Sequence, residues 1–210
     1  MTNKKIKQSL KSPNKLPTFI LEIPGLTSET SQSFLNTICS NGKYNVLEIG
    51  AYCGASSLAM LYNNTINLTV IDLWNTHEVK PNNSMIESID ITDPKKEFLK
   101  NTKDYNISIL DGDAFSIEIF KELEKREKFD IIFYDGPHDI ESIIKFFLLY
   151  TQFVKDNGLI IVDDYNFYTV QEAIKIIKQE YYIKFKYEKK ILTVGESKKT
   201  FWNGLYMCII

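Results

Sequence analysis

The fold is decided by the stretch Val46-Leu-Glu-Ile-Gly-Ala-Tyr-Cys-Gly-Ala-Ser-Ser57. A short apolar run, broken only by Glu48, leads to two glycines four positions apart and then to small and apolar residues. This order predicts a buried strand, a tight turn and the start of a helix, which is how an α/β sheet begins. The glycines, Gly50 and Gly54, allow the turn to be tight and allow a ligand to approach the backbone closely.

Outward from this stretch, short Val- and Ile-rich runs alternate with helical segments. The runs are apolar on consecutive residues, which indicates strands that are buried on both faces of a parallel sheet. We predict strands at Asn45–Ile49, Asn67–Ile71, Ile107–Leu110, Asp130–Tyr134 and Leu159–Val162. We predict helices at Ala55–Tyr62, Pro94–Thr102, Phe115–Lys128 and Ile140–Lys155. This alternation favours a doubly wound, mostly parallel α/β sheet.

The two ends of the chain have different patterns. After a helix near Val170–Glu180, the segments Tyr181–Val194 and Thr200–Ile210 are rich in aromatic and β-branched residues and predict an antiparallel C-terminal hairpin. Before the sheet, Thr27 or Ser28 can cap a helix that runs to about Ser40. Residues 1–17 are lysine-rich and predict a flexible basic arm, with the alternative of a segment that orders on a partner subunit or over the active site. We expect residues 18–210 to form a single domain.

Composition excludes several classes of protein. The 210 residues carry a net charge of −2, which disfavours a basic nucleic-acid-binding surface. No apolar run approaches the roughly 20 residues that span a bilayer, and the N-terminus lacks the apolar core of a secretory signal. The three cysteines, Cys39, Cys53 and Cys208, form no C-x-x-C pair, so we expect reduced thiols in a cytoplasmic protein. Because there are only two histidines, any metal would be held mainly by carboxylates, as Mg²⁺ is.

Every predicted parallel strand delivers a carboxylate at its C-terminal end. In an open α/β sheet this edge is where ligands bind, although a single acid there can simply cap the next helix. Several acids along one edge favour a crevice for hydroxyls, amines or a cation. The acids are Glu48, Asp72, Asp111, Asp113, Asp135, Asp163 and Asp164.

The first turn argues against two nucleotide sites. The middle glycine of a dinucleotide-binding turn is replaced by Tyr52, and no phosphate-binding P-loop motif is present. Asp72 follows Gly50 by 72 − 50 = 22 residues, which is the spacing at which an acid reaches a ribose diol.

At these residues the chain resembles class I S-adenosylmethionine-dependent methyltransferases. The stretch Val46–Ser57 is especially similar to the catechol O-methyltransferase group. The stretch Asp135-Gly-Pro-His138, with the pair Asp163-Asp164, looks more like the related bacterial sugar and macrolide-sugar O-methyltransferases. The resemblance covers about residues 20–170 and implies a Rossmann-like, seven-stranded sheet that ends in the antiparallel hairpin.

The resemblance implies a binding site for S-adenosylmethionine. Glu48 and Gly50 would shape the pocket for its methionine part, with the Tyr52 backbone and the Ser56 hydroxyl on its carboxylate. Asp72 would take the ribose hydroxyls. The adenine would pack on Leu73 or Trp74, although Trp74 can equally be a core or lid residue. The full predicted set is Glu48, Gly50, Ala51, Tyr52, Gly54, Ser56, Asp72, Leu73, Trp74, Asp113, Ala114 and Asp135.

The resemblance also implies a metal and a base. Asp135, Asp163 and Asp164 match the positions that bind Mg²⁺ in metal-dependent members, unless Asp164 only caps the next helix. His138 matches the catalytic base, which is a lysine in the catechol type and a histidine in the sugar type, unless it is an ordinary histidine at the start of a helix. We predict catalytic roles for His138 and Asp135, whereas His77 belongs to the variable-looking segment Asn75–Asp93.

These inferences predict a Mg²⁺-dependent O-methyltransferase for a small molecule such as a sugar or a diol. We expect neither nucleic acid nor membrane as a partner, and a homo-oligomer stays open. Three alternatives remain: a methyltransferase with another acceptor atom or a macromolecular substrate, a non-catalytic cofactor-binding protein, and an NAD-linked dehydrogenase. The Asp135-Gly-Pro-His138 stretch counts against N-methylation of adenine or glutamine, and Tyr52 counts against the dehydrogenase.

Overall fold

The computed structural model describes residues 1–74, 91–194 and 199–210. Seven strands in these ranges form one sheet: β1 (Lys43–Ile49), β2 (Thr65–Asp72), β3 (Ile107–Asp111), β4 (Phe129–Tyr134), β5 (Val154–Asp163), β6 (Tyr187–Ile191) and β7 (Leu205–Ile209). The helices of the same ranges are α1 (Asn3–Lys11), α2 (Thr18–Leu21), α3 (Glu29–Ile38), α4 (Ala55–Leu61), α5 (Pro94–Asn101), α6 (Ile117–Glu124), α7 (Ile140–Tyr150) and α8 (Tyr168–Gln179).

The strand order across the sheet is β3-β2-β1-β4-β5-β7-β6. β1 to β5 run parallel, and β7 pairs antiparallel with both β5 and β6. The strand order changes direction between β1 and β4, and in open α/β sheets ligands bind at the carboxyl ends of the strands at such a point. The predicted doubly wound, mostly parallel sheet with an antiparallel C-terminal hairpin is confirmed.

Helices cover both faces of the sheet, which explains the consecutive apolar residues of the strands. α6, α7 and α8 pack on one face, through residues such as Phe146 and Ile174. α1, α3, α4 and α5 pack on the other, through residues such as Phe34 and Phe98. Burying each large apolar side chain contributes about 1.5–3 kcal/mol, so these two layers hold the strand ends in fixed positions.

The first residues of the chain depart from the predicted flexible arm. Residues 3–11 form α1, and the Thr2 side chain caps this helix by accepting the N–H of Lys5. Ile6 is completely buried against the α3 side of the core. The Lys5 ammonium donates to Ser40 O at 2.6 Å and to the Tyr44 hydroxyl at 2.7 Å. These residues form a docked helix in the structure because Ile6, with Met1 and Leu10 beside it, packs on the core although the other faces are lysine-rich.

Some boundaries also differ from the sequence pattern. α6 is shorter than the predicted Phe115–Lys128. α7 ends at Tyr150 and is followed by a 3₁₀ turn at Thr151–Phe153, after which β5 begins at Val154. The polar residues before Leu159 therefore belong to a strand, and the register with β4 shifts there between Phe129 and Ile131.

The three cysteine thiols are free and buried, as their expected role as small apolar residues requires. In the part of the chain that the structure describes, no helix combines the length and the apolar character needed to cross a membrane.

Candidate active site

The glycine turn after β1 lies directly against the loop that follows β4. Gly50 has a φ of +84°, and a Cβ placed there would lie 2.1 Å from the carbonyl oxygen of Asp135. Only glycine tolerates both this left-handed conformation and this approach. The sequence-predicted cofactor turn and the predicted metal and base loop are therefore adjacent.

The carboxylate of Asp72, at the end of β2, organises this turn. Its Oδ2 accepts the backbone N–H groups of Ala51 at 2.7 Å and Tyr52 at 2.8 Å. Its Oδ1 accepts the N–H of Trp74 at 2.6 Å. A carboxylate has about four acceptor positions, so capacity remains for the predicted ribose hydroxyl. Asp72 thus holds two neighbouring loops at the same time.

Trp74 and Leu73, the two candidates for adenine packing, lie in different environments. The Trp74 indole N–H donates to Tyr52 O at 2.9 Å, and its ring packs on Phe98 with centroids 5.4 Å apart. Leu73 is 51% exposed beside Asp72. Trp74 therefore ties the loop after β2 to the glycine turn, and Leu73 is the freer apolar surface.

Glu48 is buried below the turn. It is 0% exposed, and its two carboxylate oxygens accept the hydroxyls of Ser56 and Ser57 at the start of α4. Burial raises the pKa of Glu48 to about 7, although both serine hydrogen bonds act to lower it. The hydroxyl hydrogen of Ser56 is committed to Glu48, so the predicted contact of Ser56 with the methionine carboxylate would require this hydroxyl to rotate.

The acids at the end of β3 were expected to line the ligand crevice, but their side chains have local partners instead. Asp111 is exposed and forms an ion pair with Lys95. Asp113 Oδ1 accepts the N–H of Phe115 at 2.8 Å, and the Ala114 carbonyl accepts the Tyr150 hydroxyl at 2.5 Å. Asp113 and Ala114 are thus placed by local hydrogen bonds, and their adenine contacts stay a prediction.

His138 lies between acids from two strand ends. Its Nε2 is 3.8 Å from Asp135 Oδ1, and its Nδ1 is 3.6 Å from Asp164 Oδ2. The ring of Phe167 packs edge-on against the imidazole, with centroids 5.7 Å apart. Burial lowers the pKa of His138 although Asp164 and Asp139 raise it, which keeps the imidazole neutral at pH 7. A neutral imidazole can accept a proton.

The loop that carries His138 is fixed from below by Tyr134. This completely buried side chain donates its hydroxyl to Pro137 O at 2.8 Å and packs on Phe146 with centroids 4.3 Å apart. On the far side of the histidine, Asp139 caps α7 by accepting the N–H of Ser142 at 2.9 Å.

Asp163 is the most buried of the three acids Asp135, Asp163 and Asp164. The register that pairs Tyr134 with Val162 puts Asp135 beside Asp163 at the strand ends. Asp163 is 4% exposed, and its Oδ1 finds no hydrogen-bond partner among the described residues. Burial and neighbouring acids raise the pKa of Asp135, and burial together with Asp164 raises the pKa of Asp163. A cation would relieve both the repulsion and the unpaired oxygen.

These acids do not already form a metal centre. Within residues 1–74, 91–194 and 199–210, no three His, Cys, Asp or Glu side chains are grouped closely enough to hold an ion. Asp135, Asp163 and Asp164 lie at neighbouring positions with suitable oxygen donors, but their side chains would have to converge. The expected magnesium site thus stays a prediction.

Sequence reasoning missed Ser57 and Tyr134. Ser57 follows the predicted Ser56 and could have been found from the need of a buried carboxylate for two donors. In the sequence, Tyr134 is indistinguishable from the other apolar residues of its strand. Its hydroxyl contact with Pro137 O depends on the path of the loop that follows. His77 and most of the segment Asn75–Asp93 lie outside the described residues.

Taken together, the strand ends place a neutral imidazole and several acids beside a glycine turn. His138 Nε2 is buried there and has no hydrogen-bond partner among the described residues. The arrangement can accept hydrogen bonds from hydroxyls and ammonium groups, and it suits a ligand with positive charge better than an anion.

Comparison with known structures places this architecture among methyltransferases. An O-methyltransferase from Bacillus cereus, solved in complex with SAH, superposes with a TM-score of 0.64 and 16% identity over 100% of this chain and 92% of that one. An O-methyltransferase from Streptomyces achromogenes that is involved in tomaymycin synthesis, in complex with SAM, gives a TM-score of 0.60 and 14% identity over 100% and 91%. At these identities the likeness concerns the fold.

No curated protein matches the chain at a significant level. A family model described as a methyltransferase domain matches residues 47–165, more than half of the chain. The match begins inside β1, before the glycine turn, and ends just after the acids at the end of β5, so it contains Glu48, Asp72, Asp135, His138 and Asp163. The chain therefore belongs to this methyltransferase domain family and is a class I S-adenosylmethionine-dependent methyltransferase.

Proposed function

We propose that this methyltransferase transfers the methyl group to a hydroxyl of a small molecule, such as a sugar or a diol, with the help of Mg²⁺. The observation that carries the proposal is the position of His138 between Asp135 and Asp164, next to the glycine turn. The two structural neighbours described as O-methyltransferases support it as well.

The cofactor site would be formed by the turn after β1 and the ends of β2 and β3. S-adenosylmethionine supplies a methyl group on a positively charged sulfur. Asp72, at the side of the turn, places acceptor oxygens along this path, and Glu48 lies buried below the turn. The exposed Leu73 offers an apolar surface to the adenine.

The donor set at the ends of β4 and β5 fits Mg²⁺ in its chemistry. Asp135, Asp163 and Asp164 would hold the ion, because hard cations prefer carboxylate oxygens. Bound there, Mg²⁺ would lower the pKa of an acceptor hydroxyl and orient it. The unpartnered Oδ1 of Asp163 and the raised pKa of Asp135 are the features that favour a cation at this place.

His138 would act as the general base. Its Nε2 is buried and has no hydrogen-bond partner among the described residues, so it would take the hydroxyl proton of an acceptor that displaces the groups covering it. Bound S-adenosylmethionine would supply the methyl group, and the acceptor oxygen would displace its sulfur, which would keep the electron pair of the carbon–sulfur bond. Tyr134 and Phe167 hold the imidazole in place while this occurs. Fixing both reactants in line supplies much of the remaining acceleration.

The base is tested with His138→Ala. We expect cofactor binding to persist and turnover to fall about 10²–10⁴-fold, the usual contribution of a general base. His77→Ala is the matched control and should keep its turnover. Turnover of a sugar or diol panel that is equal in the two variants would remove His138 from the mechanism.

The cofactor and the metal are tested by calorimetric titration with S-adenosylmethionine, with and without Mg²⁺. We expect binding at about −8 kcal/mol, which is micromolar, and a magnesium effect that Asp163→Asn abolishes. Asp111→Asn, at the same sheet edge but paired with Lys95, is the control. Binding that ignores Mg²⁺ in the wild-type protein would contradict the metal, and absence of binding would contradict the whole proposal.

A further inference from the structure

The half-buried side chain of Asn166 joins two loops at the edge of the candidate active site. Its Nδ2 donates to the Thr193 carbonyl at 2.9 Å and to the Thr193 hydroxyl at 3.0 Å, and its Oδ1 accepts the Thr193 N–H at 3.1 Å. Its backbone carbonyl accepts the side-chain amide of Gln171 at 3.3 Å. Asn166, which lies three residues after the end of β5, is thus bound to the segment that follows β6.

The backbone around Asn166 extends the pairing of β5 with β7. Asp163 pairs with Leu205, and beyond this pair the Asn166 N–H donates to Asn203 O at 2.7 Å. A Cβ at Gly204, whose φ is +82°, would lie 2.9 Å from Asn166 Oδ1 and 2.4 Å from the Ile191 carbonyl. The loop after β5 and the end of β6 therefore pack so closely around Gly204 that no larger residue fits there.

The loop that Asn166 fixes carries two of the groups around His138. Asp164, two residues earlier, has a φ of 55° and places Oδ2 3.6 Å from His138 Nδ1. Phe167, the next residue, packs edge-on against the imidazole at an interplanar angle of 87°. Phe167 itself is 41% exposed, so its position depends on the backbone that bears it.

We propose that Asn166 is a positioning residue that acts through this loop, holding Asp164 and Phe167 against the His138 imidazole. Without its three side-chain hydrogen bonds to Thr193, the loop is held to the hairpin only by backbone bonds such as that from Asn166 N–H to Asn203 O, and Phe167 shifts relative to the imidazole. The importance of this arrangement for methyl transfer rests on the proposed function. The contact of Asp164 and Phe167 with the His138 imidazole does not depend on it.

The placement is tested by the NMR signals of the His138 ring. In a His77→Gln background His138 is the only histidine, since the chain has two. At a fixed pH of about 8 the imidazole is neutral, so its signals report the surrounding rings and not its protonation. Phe167→Leu gives the signal positions without the ring. We expect Asn166→Ala to move the His138 signals towards those positions.

The matched control is Asn64→Ala, which removes a half-buried amide that donates to Asn36 O at 2.8 Å and to Met60 O at 2.9 Å, away from the site. It should lower stability and leave the His138 signals in place. Thr193→Val, which removes one partner of Asn166, should give a smaller displacement in the same direction and serves if Asn166→Ala does not fold.

Three results would overturn the proposal: unchanged His138 signals in Asn166→Ala or Thr193→Val, an equal displacement in Asn64→Ala, or a loss of S-adenosylmethionine affinity in Asn166→Ala. The affinity should stay unchanged because Asp72 and Glu48 support the cofactor turn from other strands. If the wild-type protein bound no cofactor, the proposed function would fail while the NMR comparison still decided the role of Asn166.

Discussion

Glu48→Gln should make the protein more stable at neutral and alkaline pH. The side chain of Glu48 is completely buried and lies between two serine hydroxyls, both of which a glutamine can keep as partners. Burial raises its pKa from the ordinary value of 4.5 to about 7. At 1.36 kcal/mol for each pH unit, this difference makes ionised Glu48 unfavourable by about 3 kcal/mol in the folded state.

The sign follows from which state binds the proton more tightly. Between pH 4.5 and about 7 the folded protein keeps the proton of Glu48 and the unfolded chain loses it. The stability that Glu48 contributes is therefore fully present below pH 4.5 and is lost as the pH rises through about 7. The glutamine variant has no such loss at this position.

The assay is urea denaturation of both proteins across this pH range, followed as the difference in unfolding free energy. Taking the difference cancels the raised pKa of Asp163, which both proteins share, whereas the part of the raised Asp135 pKa that the Glu48 charge causes is absent from the variant. We expect the variant to gain on the wild type by about 3 kcal/mol between acidic and slightly alkaline pH. If the difference in unfolding free energy did not change with pH, the inference that folded Glu48 keeps its proton up to about pH 7 would be refuted.

Two further variants test other parts of the structure. Ile6→Ala should lower the unfolding free energy by about 2–5 kcal/mol in chemical denaturation, because the side chain is fully buried, whereas Ala at the exposed Lys7 should change little. Trp74→Phe keeps a ring on Phe98 but removes the hydrogen bond to Tyr52 O, so calorimetry should show cofactor affinity weakened by at most about tenfold, from a bond worth about 0.5–1.5 kcal/mol. Unchanged affinity would mean that the hydrogen bond from Trp74 to Tyr52 O does not support cofactor binding.

The strands of the sheet could be predicted because burial on both faces leaves a clear pattern. Runs such as Leu159–Val162 have no polar interruption, and each lies inside an observed strand. The start of β5 could not be predicted, since Lys155-Asp156-Asn157-Gly158 has the composition of a turn. α1 was missed for a similar reason, because its lysines outnumber the apolar residues that dock it.

The acids of the site could be placed at the strand ends, but their local partners could not be predicted. Sequence spacing brings Asp72 to the cofactor turn, yet its three backbone donors depend on the left-handed conformations of Tyr52 and Trp74. Asp111 was expected in the same crevice, and its pairing with Lys95 follows from how α5 packs, which no local pattern encodes.

The position of β7 has a consequence for how the fold is reached. β7 lies between β5 and β6, so both sides of this late strand are hydrogen-bonded. In any state in which β7 is not yet docked, β5 presents an open edge of apolar residues from Leu159 to Val162. Open apolar edges pair readily with other chains, and pairing between distant segments forms slowly. The protein is therefore most prone to aggregate while this one strand is out of place.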